Sequence, residues 1–233
     1  MTVDRILAVI GIAIGLPAFI LTFLSGGQAA TLLVAALVLA VLGAAFIIHI
    51  KTNAAPFYMK EVVLTLSIHD PEGKLATLEK KYKYQANYAH VQELSHRNIA
   101  ADGSIYDIRW NGEPVPPANI ATTLGEYEVS IREKTPYTKG SVYDGCLSYR
   151  MADSFPAAQE AMIYVVDFPC KVLRIIVKLP TDRKCHQVNA YRMQGAGKKE
   201  ITKNLCREED GRRISFTVKR PPLGSQYEVW WRW

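Results

Sequence analysis

The sequence predicts two kinds of structure in one chain: a membrane α-hairpin of two transmembrane helices, followed by an all-β cytoplasmic domain, an antiparallel β-barrel or β-sandwich. Of the 28 Lys and Arg and 22 Asp and Glu, only Asp4, Arg5 and Lys51 lie in residues 1–55. Later in the chain, apolar and polar residues alternate with the period of two that half-buried strands show. The predicted divisions are a hairpin (1–51), a linker (52–57) and a β domain (58–233).

Two uncharged apolar runs, residues 6–24 and 29–48, form the predicted hairpin. Each is about as long as the roughly 20 residues that cross a bilayer as a helix. A cleaved signal peptide is the alternative for the first run, but that run is longer than usual and a second one follows at once. Arg5 precedes the spans, Lys51 follows them and the turn between them is uncharged. Both termini are therefore expected in the cytoplasm.

Small residues recur along both spans at helical spacing, which lets helix backbones approach closely in lipid. The predicted packing residues are Gly11, Gly15, Ala18, Ala36, Ala40 and Gly43. They would pack the two helices of one chain together, or the helices of several chains into a homo-oligomer. Both arrangements stay open.

About eight to ten short strands are predicted in the β domain, and a helix is possible over 87–98. Short connections favour antiparallel pairing, because parallel strands need longer crossovers. The last predicted strand runs from Tyr227 to Trp233, with Trp231 and Trp233 on its core face. Trp230 falls on the opposite face, as a subunit contact or a stacking platform.

Motifs for catalysis are missing from the sequence: it has no GxSxG, HExxH, GxGxxG or complete Walker sequence. The four cysteines include no CxxC pair, so a zinc site is not expected. We therefore expect no catalytic residues, no metal and no cofactor, and the chain is not predicted to be an enzyme. A hydrolase whose site forms only in three dimensions is a less favoured alternative.

Basic and aromatic residues of the β domain are the candidate ligand contacts, because guanidinium and ammonium groups bind phosphates and planar bases stack on aromatic rings. The predicted ligand-binding residues are Arg132, Lys134, Tyr137, Arg150, Arg174, Lys178, Trp230 and Arg232. The formal net charge of +5 over the last 178 residues, from 26 Lys and Arg against 21 Asp and Glu, is too mild for long nucleic acid and suits a small phosphorylated ligand. The alternative is that these side chains solubilise the surface or attract anionic lipid.

Two N-terminal apolar spans, a short linker and a strand-rich domain without catalytic motifs resemble the two-transmembrane-plus-β (2TM-β) effectors of bacterial anti-phage defence, of the CBASS and Panoptes types. The resemblance lies in architecture and transfers no ligand-contacting residue. It implies a multi-pass protein of the bacterial inner membrane whose β domain senses a cyclic di- or oligonucleotide. Accessory membrane effectors of type III CRISPR systems share this logic.

The function expected from this resemblance is control of hairpin oligomerisation by the nucleotide, with membrane disruption and abortive infection as the result. The expected partners are the lipid bilayer, a cyclic nucleotide and further copies of the chain. The alternative is a membrane-tethered β-sandwich that binds a protein or lipid partner without sensing a nucleotide.

Overall fold

A computed structural model describes residues 38, 40–43, 55–195 and 197–233, and Ala55–Trp233 form one compact unit. Its strands are β1 (Phe57–Ile68), β2 (Leu75–Ala86), β3 (Glu93–Ile99), β4 (Ser104–Trp110), β5 (Glu113–Pro114), β6 (Ile120–Thr123), β7 (Glu126–Arg132), β8 (Val142–Ala152), β9 (Gln159–Val165), β10 (Val172–Lys178), β11 (Gln187–Gln194), β12 (Gly197–Glu200), β13 (Leu205–Glu208), β14 (Arg213–Lys219) and β15 (Gln226–Arg232). Short 3₁₀ turns cover Pro117–Asn119, Thr202–Asn204 and Glu209–Gly211.

These strands form three sheets around one core. The largest has the order β13-β14-β10-β1-β2-β8-β4-β5, and the smaller ones are β12-β11-β15-β9 and β3-β7-β6. One face of the large sheet packs against both small sheets: the rings of Tyr82 and His96 are 4.8 Å apart, and those of Phe216 and Tyr227 are 6.0 Å apart. The β domain is therefore a sandwich rather than a closed barrel.

The alternation of buried and outward residues explains why these segments form strands. Along β2, the residues from Ala76 to Ala86 in steps of two are buried, while Lys81 and Lys83 between them are exposed. Such a pattern buries one face of a pleated strand and leaves the other in water. The expectation of purely antiparallel pairing is wrong at one place, because β1 and β10 pair in parallel. Their connection is long enough to hold eight intervening strands.

In the described part of the chain, no helix is long and apolar enough to cross a membrane. This finding contradicts the predicted transmembrane hairpin and the placement as a multi-pass inner-membrane protein. The prediction rested on the length of two apolar runs in the sequence, whereas an α-helix that crosses a membrane must continue over about 20 residues. The described helical positions are residue 38 and residues 40–43.

Some of the predicted packing residues lie outside the described residues and others lie within them. Gly11, Gly15, Ala18 and Ala36 lie outside the described residues, as does most of both predicted spans. Ala40 and Gly43 are helical and exposed. No described atom would contact a Cβ added at Gly43.

The helix considered over 87–98 is not formed. Residues 87–92 make a turn and a bend, and β3 begins at Glu93. Leu94 and His96 of β3 are buried, whereas Ser95 between them is half-buried. Pairing with β7 therefore overrides the local preference, because it buries Leu94 completely.

His96 is an unusual buried group in this core. Its ring lies between those of Tyr82 and Trp110, with centroids 4.8 and 5.2 Å away, and Nε2 has no hydrogen-bond partner in the part of the chain that the structure describes. Burial, together with the nearby charge of Lys80, lowers the pKa of His96 from 6.5 to about 3. The imidazole is therefore neutral in the folded protein at neutral pH.

This depressed pKa predicts that the protein loses stability as the pH falls below 6.5. The unfolded chain then takes up a proton on His96 and the folded chain does not, so unfolding is favoured. From pH 6.5 to 5.5 we expect a loss of roughly 1 kcal/mol of unfolding free energy from this group. Urea denaturation of the unaltered protein and of His96→Phe at both pH values measures the part of the stability loss that comes from His96.

The matched control is His186→Phe, since the side chain of His186 is exposed. It should keep the pH dependence of the unaltered protein. An equal pH dependence in His96→Phe and the unaltered protein would contradict the prediction.

Candidate functional site

A basic cleft lies on the outer face of the large sheet, near the start of β1. It encloses about 580 Å³ and is lined by Tyr58, Lys60, Glu61, Lys83, Lys171, Val172 and Arg220. We call these seven residues the basic cleft. Four of them are cations and one is an anion, so a concave surface of net positive charge is formed from β1, β2 and the ends of β10 and β14.

A β-bulge orients two of these side chains. In the pairing of β1 with β2, Met59 lies opposite Tyr84 and Glu61 lies opposite Lys83, so Lys60 is an extra residue. Met59 and Val62 are buried, whereas Lys60 and Glu61 are both half-buried. Regular alternation would turn one of the pair towards the core. The bulge instead keeps both on the outer face, as bulges beside functional sites often do.

Backbone hydrogen bonds hold the other side of the cleft. The Lys171 N–H donates to the Met59 carbonyl at 2.8 Å, and the Arg220 N–H donates to the Lys171 carbonyl at 2.8 Å. Arg220 has a φ of 49°, in the left-handed region that residues other than glycine seldom occupy. Such a conformation costs of order 1 kcal/mol or more and is often found at functional sites. It begins the turn that continues into Pro221.

The cations of the basic cleft have no anionic partners in the described residues. No ion pair or side-chain hydrogen bond involves Lys60, Lys83, Lys171 or Arg220 there. Glu61, the single acid, instead lies 3.6 Å from the Arg174 guanidinium, at the edge of the cleft. The positive charge is thus left for a ligand or for solvent.

The cysteine next to Lys171 is structural. Cys170 is buried, and its thiol donates to the Val172 carbonyl at 3.1 Å. Burial raises the pKa of Cys170 to about 11, so the thiol stays protonated and is a poor nucleophile. In the described residues, no group of three or more His, Cys, Asp or Glu side chains is arranged to hold a metal ion. The cleft therefore offers cationic groups that can contact an anion.

Three of the sequence-predicted ligand residues lie on the outer face of the large sheet. Arg174 borders the basic cleft through its contact with Glu61. Lys178 is at the far end of β10 and is exposed. Arg150 is on β8, 3.5 Å from the carboxylate of Asp107. The structure therefore brings only Arg174 to the cleft.

The other predicted residues are scattered. Trp230 and Arg232 lie on the outward face of β15, in a different sheet. Arg132 ends β7 and Lys134 follows in a loop, and both are exposed. Tyr137 is buried, 5.1 Å from Phe57 in an edge-to-face contact, and its hydroxyl accepts a hydrogen bond from Tyr84. Its ring is thus part of the core and offers no face to a base.

The four cations of the basic cleft were not among the ligand contacts predicted from the sequence. Lys60 and Lys83 lie on predicted strands, but alternation alone does not reveal the bulge that orients Lys60. Lys171 and Arg220 each adjoin a strand end, and neither has an aromatic or basic cluster beside it. The sequence feature that could have indicated the cleft is the position of Lys81 and Lys83 on the outward face of β2.

Comparison with known proteins gives no family for this chain. No family model matches it, and no curated protein matches it. Among solved structures, it is similar to an M1 zinc metallopeptidase from Deinococcus radiodurans, with a TM-score of 0.40, 11% identity, and coverage of 75% of this chain and 42% of that one. The resemblance to 2TM-β effectors stays a prediction.

Two further solved structures are similar at the same level. A putative protease from Parabacteroides distasonis has a TM-score of 0.43 at 10% identity, covering 77% of this chain and 41% of that one. Yeast LTA4 hydrolase in complex with bestatin has a TM-score of 0.43 at 10% identity, covering 75% and 28%. This chain therefore spans less than half of each of these proteins.

Proposed function

We propose that the β domain is a non-catalytic receptor for a small phosphorylated ligand of the cyclic-nucleotide class, and that the basic cleft binds it. The observation that carries this proposal is the convergence of four cations without anionic partners on one cleft. Phosphate oxygens accept charge-assisted hydrogen bonds from ammonium and guanidinium groups. Membrane disruption is not part of this function, because no helix in the described residues is long and apolar enough to cross a membrane.

The shape of the basic cleft supports a small ligand. Its volume of about 580 Å³ falls within the range of roughly 300–1,000 Å³ that is usual for small-molecule sites. Tyr58 supplies an aromatic ring on which a base can stack. The bulge at Lys60 and the left-handed Arg220 are local distortions that ordinary strand packing does not require.

Ligand binding would regulate the protein through its assembly. A ligand shifts an equilibrium only by its different affinities for the two states. The basic cleft adjoins the start of β1, where the β domain connects to the preceding residues. A nucleotide that binds one oligomeric arrangement more tightly would therefore favour that arrangement.

The first test is thermal denaturation of the full chain with cyclic di-AMP, cyclic di-GMP and cyclic oligoadenylates. At a ligand concentration 100 times its Kd, a ligand specific to the native state stabilises by about 2.7 kcal/mol. For a chain of this size we expect one of these nucleotides to raise the Tm by about 5 °C or more. No shift with any of them would contradict the nucleotide class.

A charge reversal locates the site. Lys171→Glu should reduce the affinity for the active nucleotide at least tenfold, because it places a carboxylate beside the phosphate. The matched control is Lys178→Glu, which makes the same charge change roughly 20 Å further along the same sheet face. Titration calorimetry measures both variants. An equal loss in both would mean that the general charge of the sheet, rather than the basic cleft, attracts the nucleotide.

A further inference from the structure

A second cavity lies inside the sandwich, between the large sheet and both small sheets. It has a volume of about 380 Å³. Its walls combine polar and apolar groups about equally, and the apolar side chains include Leu64 and Leu66 of β1, Tyr149 and Met151 of β8, and Met162 of β9. Lys80 of β2 contributes the single cation among the lining residues.

Lys80 faces inwards because of its phase on β2. It shares the buried face of the strand with Leu78 and Tyr82, and it pairs in register with Leu64 of β1 and Leu147 of β8. Its side chain is only 5% exposed. Burying the charged end of a long, flexible lysine on such a face without a partner costs free energy.

The ammonium group of Lys80 is poorly compensated in the protein. Nζ lies 5.8 Å from the centre of the Tyr149 ring, and no ion pair or hydrogen bond reaches it from the described residues. Burial lowers the pKa of Lys80 to about 8, while the charge of Asp167 opposes this change. Asp167 is itself held by a 3.0 Å hydrogen bond from the Asn98 amide. The amine is thus still mostly protonated at pH 7 and faces a cavity.

The charges around the cavity limit the kind of ligand. Asp102 and Glu126 are exposed residues that line the cavity, whereas Lys80 lies deep within it. A dianionic phosphate would meet one cation and two carboxylates, so it would be disfavoured. A single negative charge on an apolar body matches both the lone ammonium and the apolar side chains of the cavity wall.

We propose that this cavity binds a small monocarboxylate with an apolar body, with its carboxylate on Nζ of Lys80 and its hydrocarbon part against Leu64, Met151 and Met162. The site is separate from the basic cleft, which is open, faces the other side of the sheet and carries several cations. It therefore requires neither the cyclic nucleotide nor the cleft residues.

Octanoate is the probe for this site, with 1-octanol as the uncharged comparator of the same length. Titration calorimetry on the full chain at pH 7 should give saturable binding of one octanoate and at least tenfold weaker binding of 1-octanol. Lys80→Met should weaken octanoate binding at least tenfold. The same substitution should leave the Tm unchanged or raise it, because it replaces a buried charge by an apolar side chain of similar length. Equal affinities for octanoate and octanol would overturn the proposal.

A measurement on the unaltered sequence keeps the test valid if Lys80→Met does not fold. In protein labelled with ¹³C at methionine methyl groups, octanoate should shift the resonances of Met151 and Met162. Met193, which lies on β11 and does not line the cavity, should not shift. Unchanged Met151 and Met162 resonances at saturating octanoate would overturn the proposal. Lys171→Glu serves as the control for independence, since it should leave octanoate binding intact even if nucleotide binding is lost.

Discussion

Replacing Trp231 by alanine is expected to lower the free energy of unfolding by about 3–5 kcal/mol, the usual cost of removing a large buried aromatic side chain. Trp231 is completely buried on β15. That strand lies between β11 and β9, so it is a central strand of its sheet. The loss combines the lost apolar burial with a cavity that the surrounding strands cannot close.

The contacts of Trp231 explain why this position is sensitive. Its ring centre is 6.0 Å from that of Phe155 and 6.4 Å from that of Trp233, whose Nε1–H donates to the Ala157 carbonyl at 2.6 Å. Trp231 thus ties the end of the chain to the segment that precedes β9. Its own Nε1–H has no hydrogen-bond partner among the described residues. We therefore expect Trp231→Phe to cost less than Trp231→Ala, because it keeps most of the ring volume and removes the unsatisfied donor.

The matched control for this prediction is the neighbouring tryptophan. Trp230 lies on the outward face of β15 and is half-buried, opposite Ala161 of β9 and Asn189 of β11. Trp230→Ala should lower the free energy of unfolding by less than about 1 kcal/mol. Urea denaturation of both variants measures the difference. Similar losses in both would contradict the assignment of one tryptophan to the core and the other to the outer face.

Gly73→Ala is expected to lower the free energy of unfolding by at least about 3 kcal/mol, because two independent penalties act at this turn. Gly73 has a φ of 71°, which disfavours any residue with a Cβ atom. In addition, the Cβ of alanine would lie 1.7 Å from the carbonyl oxygen of Phe155. Backbone atoms cannot move aside as a flexible side chain does, so the turn between β1 and β2 must shift.

The backbone near Gly73 is held by hydrogen bonds that such a shift would break. The Phe155 N–H donates to the Gly73 carbonyl at 3.0 Å, and the Asp153 N–H donates to the Lys74 carbonyl at 2.7 Å. Gly112→Ala is the control, because Gly112 has a φ of 87° but no atom within 4 Å of an added Cβ. It should show the conformational cost alone, of order 1 kcal/mol. Thermal and urea denaturation distinguish the two, and equal losses would contradict the steric part of the prediction.

Much of the β domain was predictable because the alternation of buried and outward side chains along a strand appears as an alternation of apolar and polar residues in the sequence. A side chain that must be buried recurs every second residue, as Tyr227, Val229 and Trp231 do on β15. The same rule places Lys80 in phase with Leu78 and Tyr82 on β2, and this was the one signal for the inner cavity. The prediction of a transmembrane hairpin from the apolar N-terminal runs is contradicted, because no helix among the described residues is long and apolar enough to cross a membrane.

Other features depended on contacts between distant segments. The parallel pairing of β1 with β10 brings Lys171 beside Met59, more than a hundred residues earlier in the chain. The same arrangement places Lys60, Lys83 and Arg220 around one cleft. By contrast, Trp230 and Arg174, which the sequence analysis selected together, lie in different sheets.

By itself, the sequence determined that residues after about 57 form strands, and it distinguished the inward Trp231 from the outward Trp230. Both follow from local periodicity, since burial on a pleated strand repeats every two residues. Only the tertiary structure decided which strands are neighbours, where the bulge at Lys60 lies and which cations converge. These depend on the register between segments far apart in the chain, and no local pattern encodes that register.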